Sequence, residues 1–426
     1  MSELQNTAKL AREASYVLAS LSSEVKNKAL SNVACALQNS KAEIFEANKK
    51  DLEEAEKNGL DMPLFKRLKF NDDKLADVIS GIESLIALPD PVGKVSLKTT
   101  LDDGLELTRI SCPIGVIGVI FESRPDALVQ ISSLCIKSGN AVFLKGGSEA
   151  MNTNIALASV ISKAGIDAGL PEGWLNLLTS RSEISDMLKM DEYIDLIIPR
   201  GSNAFVKYIM QNTNIAVLGH ADGVCHTYID KDADLAKASK VAIDAKTQYV
   251  AVCNTTETFL INSALKDSYL PEFVKTLQDA GVTVYGDDYV SDTFGVEKVG
   301  EWHHEYLDMK CSIKLVDDVR EAISHINHYG SGHTDAIITE NKDTAEIFMT
   351  MVDSGSVYVN CSTRFADGFR YGFGAEVGVA TSKIHARGPV GIDGLVSYKY
   401  RLVGNGDIVG PYCDGSKKFK HIHNEI

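Results

Sequence analysis

The chain has 426 residues, 44% of them apolar and 24% charged, and its 58 acidic against 43 basic side chains give a formal charge of −15. A nucleic-acid binder needs a basic face, and no Lys/Arg stripe exists beyond the short tail of Lys417, Lys418 and Lys420, so that class is excluded. An anionic small molecule is not excluded, because a local pocket can oppose the global sign.

The length predicts roughly two to four domains with ample core. Eight cysteines are widely spaced with no CxxC, the opening MSELQNTAKLAREA reads as an amphipathic helix rather than a signal, and no apolar run approaches membrane length. These features predict a cytoplasmic protein with no membrane partner, most of whose thiols are small buried hydrophobes.

Residues 2 to 88 read as helix, with stretches at Ser22 to Leu37, Lys41 to Asn58, Met62 to Leu68 and Asp72 to Ile86. They carry no evident chemistry and predict a helical layer on a later sheet. Val95 to Cys112 alternates with period two around Asp102-Asp103-Gly104, a hairpin signal. An isolated two-stranded arm is not stable, so it needs another subunit or a remote strand; Leu395 to Leu402 (LVSYKYRL) is the candidate partner.

From Ile114 the pattern becomes βαβ, beginning with IGVIGVIF, a strand apolar enough to be buried on both faces. The alternation continues through Ala141 to Leu144, Trp174 to Leu178, Leu196 to Ile198, Ile215 to Val217 and Val224 to Ile229. An open parallel sheet binds ligands beyond the carboxyl ends of its strands. Lys145-Gly146-Gly147-Ser148 and Pro199-Arg200-Gly201-Ser202 follow two such strands, each entering a helix. Both are candidate cofactor-binding turns, and both also fit plain βα turns that need glycine. Neither is a GxGxxG or a P-loop.

Tyr249 to Leu260 (YVAVCNTTETFL) sets Cys253 between an apolar run and a turn-forming Asn-Thr-Thr, the place for a thiol nucleophile exposed to a cleft on a fixed backbone. Residues 258 to 362 repeat the α/β grammar, and the glycine-rich Arg364 to Pro389 reads as a loop that wraps the cleft or returns to the first domain. Neither His220 and His226 nor the pair His303-His304 has zinc spacing, so no metal is expected.

Several of these segments share wording with a known group: CPIGVIGVIFESRPD at Cys112 to Asp126, VFLKGGSEA at Val142 to Ala150, LIIPRGSNAFVKYI at Leu196 to Ile209, GVCHTYID at Gly223 to Asp230, AVCNTTETFL around Cys253, and GFGAEVGVATSKIHARGPVG at Gly372 to Gly391. In combination they resemble the aldehyde dehydrogenase superfamily, and within it the enzymes that reduce L-glutamate 5-phosphate in proline biosynthesis. The resemblance implies an α/β fold with a Rossmann-like cofactor domain, an α/β catalytic domain and a β-strand oligomerisation arm. It divides the chain into N-terminal helices of the cofactor domain (1–94), the hairpin (95–112), the NADPH-binding domain (113–247), the catalytic domain (248–362), a return segment (363–394), and the C-terminal arm strand and tail (395–426).

The implied reaction is NADPH-dependent reduction of the acyl phosphate to L-glutamate 5-semialdehyde with release of phosphate, through a thioester on Cys253. Lys145 maps to the superfamily lysine at the adenosine ribose. Asn254 is a candidate oxyanion donor or a turn residue. Arg124, Arg364 and Arg387 are candidates for the substrate anions, and Asp222 and Glu376 for its ammonium; the alternative for Arg124 is a structural salt bridge with Glu122 or Asp126. Hydrolytic relatives carry an Asn where this chain has Glu122-Ser123-Arg124-Pro125, and a water-activating Glu where it has Val217-Leu218-Gly219-His220. A homo-oligomer and coupling to glutamate 5-kinase are the implied partnerships. The competing readings are a hydrolytic NAD(P)-dependent aldehyde dehydrogenase and a non-catalytic assembly protein that kept the fold.

Overall fold

The computed structural model describes residues 3–122, 124–180, 182–219 and 222–426, without the side chain of Pro63. Its first sheet has five parallel strands in the spatial order Leu175–Leu177, Ala141–Lys145, Val116–Ile120, Leu196–Pro199 and Ala216–Val217. Every residue of Val116–Ile120 and of Ala141–Lys145 is buried, as strands covered on both faces require. Strand order reverses beside Val116–Ile120, whose neighbours are the next strand on one side and Leu196–Pro199 on the other. A crevice therefore opens beyond Ile120 and Pro199, between the turns that carry Glu122 and Arg124 and those that carry Arg200 and Gly201.

The helical start follows the expected spans closely: Ser23–Asn39, Lys41–Lys57, Met62–Leu68 and Asp72–Ala87. Ser22 and Asn71 cap the first and last of these through their side-chain oxygens. Ser23–Asn39 lies on Met151–Ala168, the helix after the Lys145 turn. Asp51 locks this layer to that helix: its buried carboxylate accepts from the Asn152 and Thr153 amides at 3.0 and 2.8 Å, at the helix's first turn.

The second sheet has seven parallel strands in the order Glu297–Lys298, Thr283–Gly286, Lys310–Val316, Thr256–Asn262, Cys225–Ile229, Thr334–Ile338 and Ser356–Val359. Here the expectation for residues 113–247 is corrected. Cys225–Ile229 pairs with Thr256–Asn262 and Thr334–Ile338, and helix Leu235–Thr247 buries Ala238 and Ala242 against Phe259 and Phe273. The chain has thus crossed to the second sheet before residue 225. A buried parallel strand reads alike in either sheet, so the sequence pattern could not assign it.

Residues 377 to 395 return to the first core: Val377, Ala380, Val390, Ile392 and Leu395 pack with the strands and helices of the five-stranded sheet. Val95–Asp102 and Leu105–Pro113 form the expected hairpin, and Val396–Val403 pairs antiparallel along its second strand. The C-terminal Ile422–His423 adds a short fourth strand on the other edge. Tyr398, Tyr400, Leu402 and Val403 of Val396–Val403 are exposed. Among the described residues no helix is long and apolar enough to cross a membrane.

Candidate active site

Cys253 lies in the turn ahead of Thr256–Asn262, at the amino end of the seven-stranded sheet. That end meets the crevice of the first sheet. A cavity of about 370 Å³ is lined by Arg124, Pro199, Arg200 and Gly201 from one side and by Cys253, Asn254, Arg364 and Glu376 from the other. Cys253 is half-buried, and among the described residues neither its amide N–H nor that of Asn254 has a hydrogen-bond partner. Two unpaired amides beside a thiol can donate to an oxyanion formed on an attacked carbonyl.

Gly223 sets how closely the nucleophile turn packs. A Cβ there would lie 2.4 Å from both the Cα and the carbonyl oxygen of Cys253, so no side chain fits without moving that backbone. Sequence reasoning did not single out Gly223; the GVC in GVCHTYID was the available signal. Beneath the turn, Lys246 and Glu257 form a fully buried ion pair at 2.7 Å. Lys246 lies in the last turn of helix Leu235–Thr247 and Glu257 is the second residue of strand Thr256–Asn262, so the pair fastens both flanks of the segment bearing Cys253. Burial pushes the Glu257 carboxyl up to about 7 despite the adjacent ammonium.

Not every expected residue reaches the cavity. Asn254 does line it, and its side-chain amide donates one N–H to the Ala366 carbonyl at 2.8 Å, bracing the return segment. Asp222 is taken by Lys207 at 2.9 Å and His303 at 3.4 Å. Arg387 is held by the carboxylate and carbonyl of Asp353 and by the Thr381 carbonyl, and it faces a different cavity. These two charges are spent on structural partners. Arg124 pairs with Asp126 at 3.0 Å while still lining the site. Arg364 is buried, with Nε donating to Gln248 at 3.0 Å; burial first, then Arg370, lowers its pKa. Glu376 accepts from the Gly368 amide at 2.8 Å. His220 and Ser123 lie outside the described residues.

A second cavity, of about 630 Å³, is lined by Lys145, Gly146, Gly147 and Ser148 with Phe205 and Tyr208 of helix Asn203–Gln211. Ser202, which precedes that helix, does not line it. A Cβ on Gly146 would lie 2.2 Å from the Asn154 amide nitrogen, and one on Gly147 would lie 2.0 Å from the Glu149 carboxylate. Side chains thus pack closely against both glycines, which line the cavity at the end of a strand, the place where a nucleotide cradle forms. Lys145 is buried, and its ammonium donates to the Gly146 carbonyl at 2.6 Å. A third cavity, of about 700 Å³, brings Lys66, Arg67 and Lys74 of the helical layer to Arg124 and Arg200. The helical layer, which shows no evident chemistry in the sequence, thus contributes three cations to the lining of this cavity. Among the described residues no group of three or more His, Cys, Asp or Glu is placed to hold a metal ion.

The aldehyde dehydrogenase family model matches residues 2–291. The chain belongs to the aldehyde dehydrogenase family. Within it, the chain is 58% identical over 421 residues to a gamma-glutamyl phosphate reductase of Pelotomaculum thermopropionicum, covering 98% of this chain and 97% of the relative. A protein of the same name from Acetivibrio thermocellus is 58% identical over 412 residues, covering 96% of each chain. The crystal structure of gamma-glutamyl phosphate reductase from Thermotoga maritima superposes with a TM-score of 0.93 at 40% identity, covering 96% of this chain and all of the other. This aldehyde dehydrogenase chain therefore places its thiol between two α/β units, with a glycine-cradled cavity and a cationic cavity opening beside it.

Proposed function

We infer that the chain reduces L-glutamate 5-phosphate to L-glutamate 5-semialdehyde with release of phosphate, the phosphorylating glutamate-5-semialdehyde dehydrogenase step of proline biosynthesis. The observation that carries this is the near full-length identity to proteins of that name. The site is consistent with it in charge: Arg124, Arg200 and Arg364 surround the thiol of a protein whose overall charge is −15.

We propose that Cys253 Sγ attacks the acyl carbon. The C–S bond forms, the C–O bond to phosphate breaks, and its electron pair departs with phosphate. The amide N–H groups of Cys253 and Asn254 hold the oxyanion at each tetrahedral stage. A nicotinamide cofactor, which the cradle at Lys145 to Ser148 fits, supplies hydride to the thioester carbon when bound. Collapse of the thiohemiacetal then frees the aldehyde and returns Sγ to the thiol. Val217-Leu218-Gly219-His220 carries no carboxylate to activate water, so the thioester is kept for reduction.

NADPH is the proposed form of the cofactor, with Lys145 as the cation near the 2'-phosphate. Lys145→Ala is expected to weaken NADPH by about 1.5–3 kcal/mol, and NADH by less. Titrating both nucleotides checks it: equal losses confine Lys145 to the ribose, and no loss makes the turn purely structural. The exposed apolar side chains of Val396–Val403, on an arm that packs on no core of its own, support a homo-oligomer. Cytoplasmic location and coupling to glutamate 5-kinase complete the proposal; the latter would spare a labile acyl phosphate from water.

The test of the reaction class runs it backward. Semialdehyde and NADP should turn over only with inorganic phosphate present, and arsenate should substitute. Rapid oxidation to glutamate in phosphate-free buffer would favour the hydrolytic reading and overturn this one.

A further inference from the structure

Among the described residues, Arg200 is the one shared by the linings of all three cavities: the thiol cavity, the glycine cradle and the cationic cavity. It stands directly after strand Leu196–Pro199, at the reversal of strand order, and its backbone is fixed by donation from its amide to the Ile120 carbonyl at 2.7 Å. Its guanidinium differs from its neighbours. Arg124 is tied to Asp126, and Arg364 to Gln248. Among the described residues, the Arg200 side chain has no hydrogen-bond or ion-pair partner, although it is half-buried. A guanidinium held in protein without an anion is costly unless a ligand supplies one.

The two walls of the thiol cavity differ in charge pattern. The return segment contributes both signs, Arg364 with Asp367 and Glu376, which suits the α-ammonium and α-carboxylate end of an amino acid. The first domain contributes Arg200 and Arg124, a forked pair of cations that suits a phosphate. The phosphate is attached to the carbon that Cys253 attacks, so its site must adjoin the thiol. It must also adjoin the cofactor path, since hydride reaches the same carbon after phosphate has gone. Arg200 meets both conditions. Burial lowers its pKa, and Arg124 lowers it further, while Glu376 and Cys253 oppose them; an arriving phosphate would add to the opposing side.

We propose that Arg200, rather than serving the cofactor, binds the phosphoryl group of the substrate and holds the released phosphate, with Arg124 as its second cation. This rests on the acyl-phosphate reading above. The leaving electron pair then develops against a fixed fork of donors, and in the reverse direction the same fork delivers phosphate to the thioester.

The experiment measures semialdehyde oxidation at varied phosphate for wild type, Arg200→Gln and Arg200→Lys. Arg200→Gln should raise the phosphate KM about 10- to 100-fold while NADP affinity changes less than about threefold. Arg200→Lys, which keeps the charge and loses the fork, should fall between. A wild-type phosphate KM in Arg200→Gln, or weakened NADP with phosphate unaffected, overturns the assignment. Should the variant fail to fold, phenylglyoxal labelling of the unaltered enzyme serves instead: phosphate alone should protect Arg200, and unprotected labelling overturns the proposal. A wild-type enzyme that ignores phosphate would sink the acyl-phosphate reading itself, whereas phosphate dependence that survives Arg200→Gln sinks the Arg200 role alone.

Discussion

Cys253→Ser should lower reduction of the acyl phosphate by at least about 10³-fold while leaving the fold and nucleotide binding in place. Oxygen replaces sulfur in a half-buried position with little change in volume, so packing survives. Reactivity does not. A serine hydroxyl needs a base, and among the described residues the ionisable groups lining this cavity besides Cys253 are arginines together with Asp367 and Glu376. Both carboxylates are engaged by backbone amides, Asp367 with those of Phe369 and Arg370 and Glu376 with that of Gly368. Cys225, whose thiol donates to the Cys253 carbonyl at 3.2 Å, offers no substitute, because burial pushes its pKa up and keeps it protonated. Steady-state rates in both directions check the result. Turnover above about a tenth of wild type would refute covalent catalysis at Cys253.

Lys246→Ala should destabilise the protein by about 3–5 kcal/mol, because it strands Glu257 in an interior where both partners are fully buried. Replacing both, as Lys246→Met with Glu257→Leu, should recover most of that loss. The pH dependence has a definite sign. Glu257 titrates at about 7, above its ordinary value of 4.5, so its protonated form is the one the fold favours. Its contribution is fully present below the unfolded value and is lost as pH rises through the folded one. Removing Lys246 removes a group that lowers that pKa, so the variant's deficit should widen from pH 5 to pH 8. Denaturant unfolding at both pH values decides it; a deficit that is the same at both would show that Glu257 is not the stranded group. Turnover should fall as well, since the pair clamps both flanks of the nucleophile turn.

Much of the fold was legible because local signals and tertiary demands agree in it. The helical spans over residues 41–57 and 62–68 follow from apolar spacing, and the hairpin turn from Asp103-Gly104. Cys225–Ile229 was assigned to the wrong sheet because a doubly buried strand carries no mark of its partners. The site divided along a similar line. Cys253 and the Lys145 turn, marked in the sequence by residue type and position, do line cavities. Asp222 and Arg387 are marked in the sequence by sign of charge alone, and their partners, Lys207 and His303 for one and Asp353 for the other, are fixed only by tertiary structure. Lys66, Arg67 and Lys74 went unnoticed because helix surfaces are ordinarily charged, and only the packed structure turns these three toward a cavity.

The return of residues 377 to 395 to the first core bears on how the protein comes off the ribosome. The strands from Cys225–Ile229 to Ser356–Val359 are contiguous in sequence, so this unit has all its strands once residue 359 has emerged. The first domain begins at the amino terminus yet finishes last. Leu395 packs into its core, and the carbonyl of Leu395 accepts from the buried Asn140 amide at 2.8 Å. Until that segment is synthesised, the five-stranded sheet lacks part of its cover, and the earlier-made half waits open while the later-made half closes.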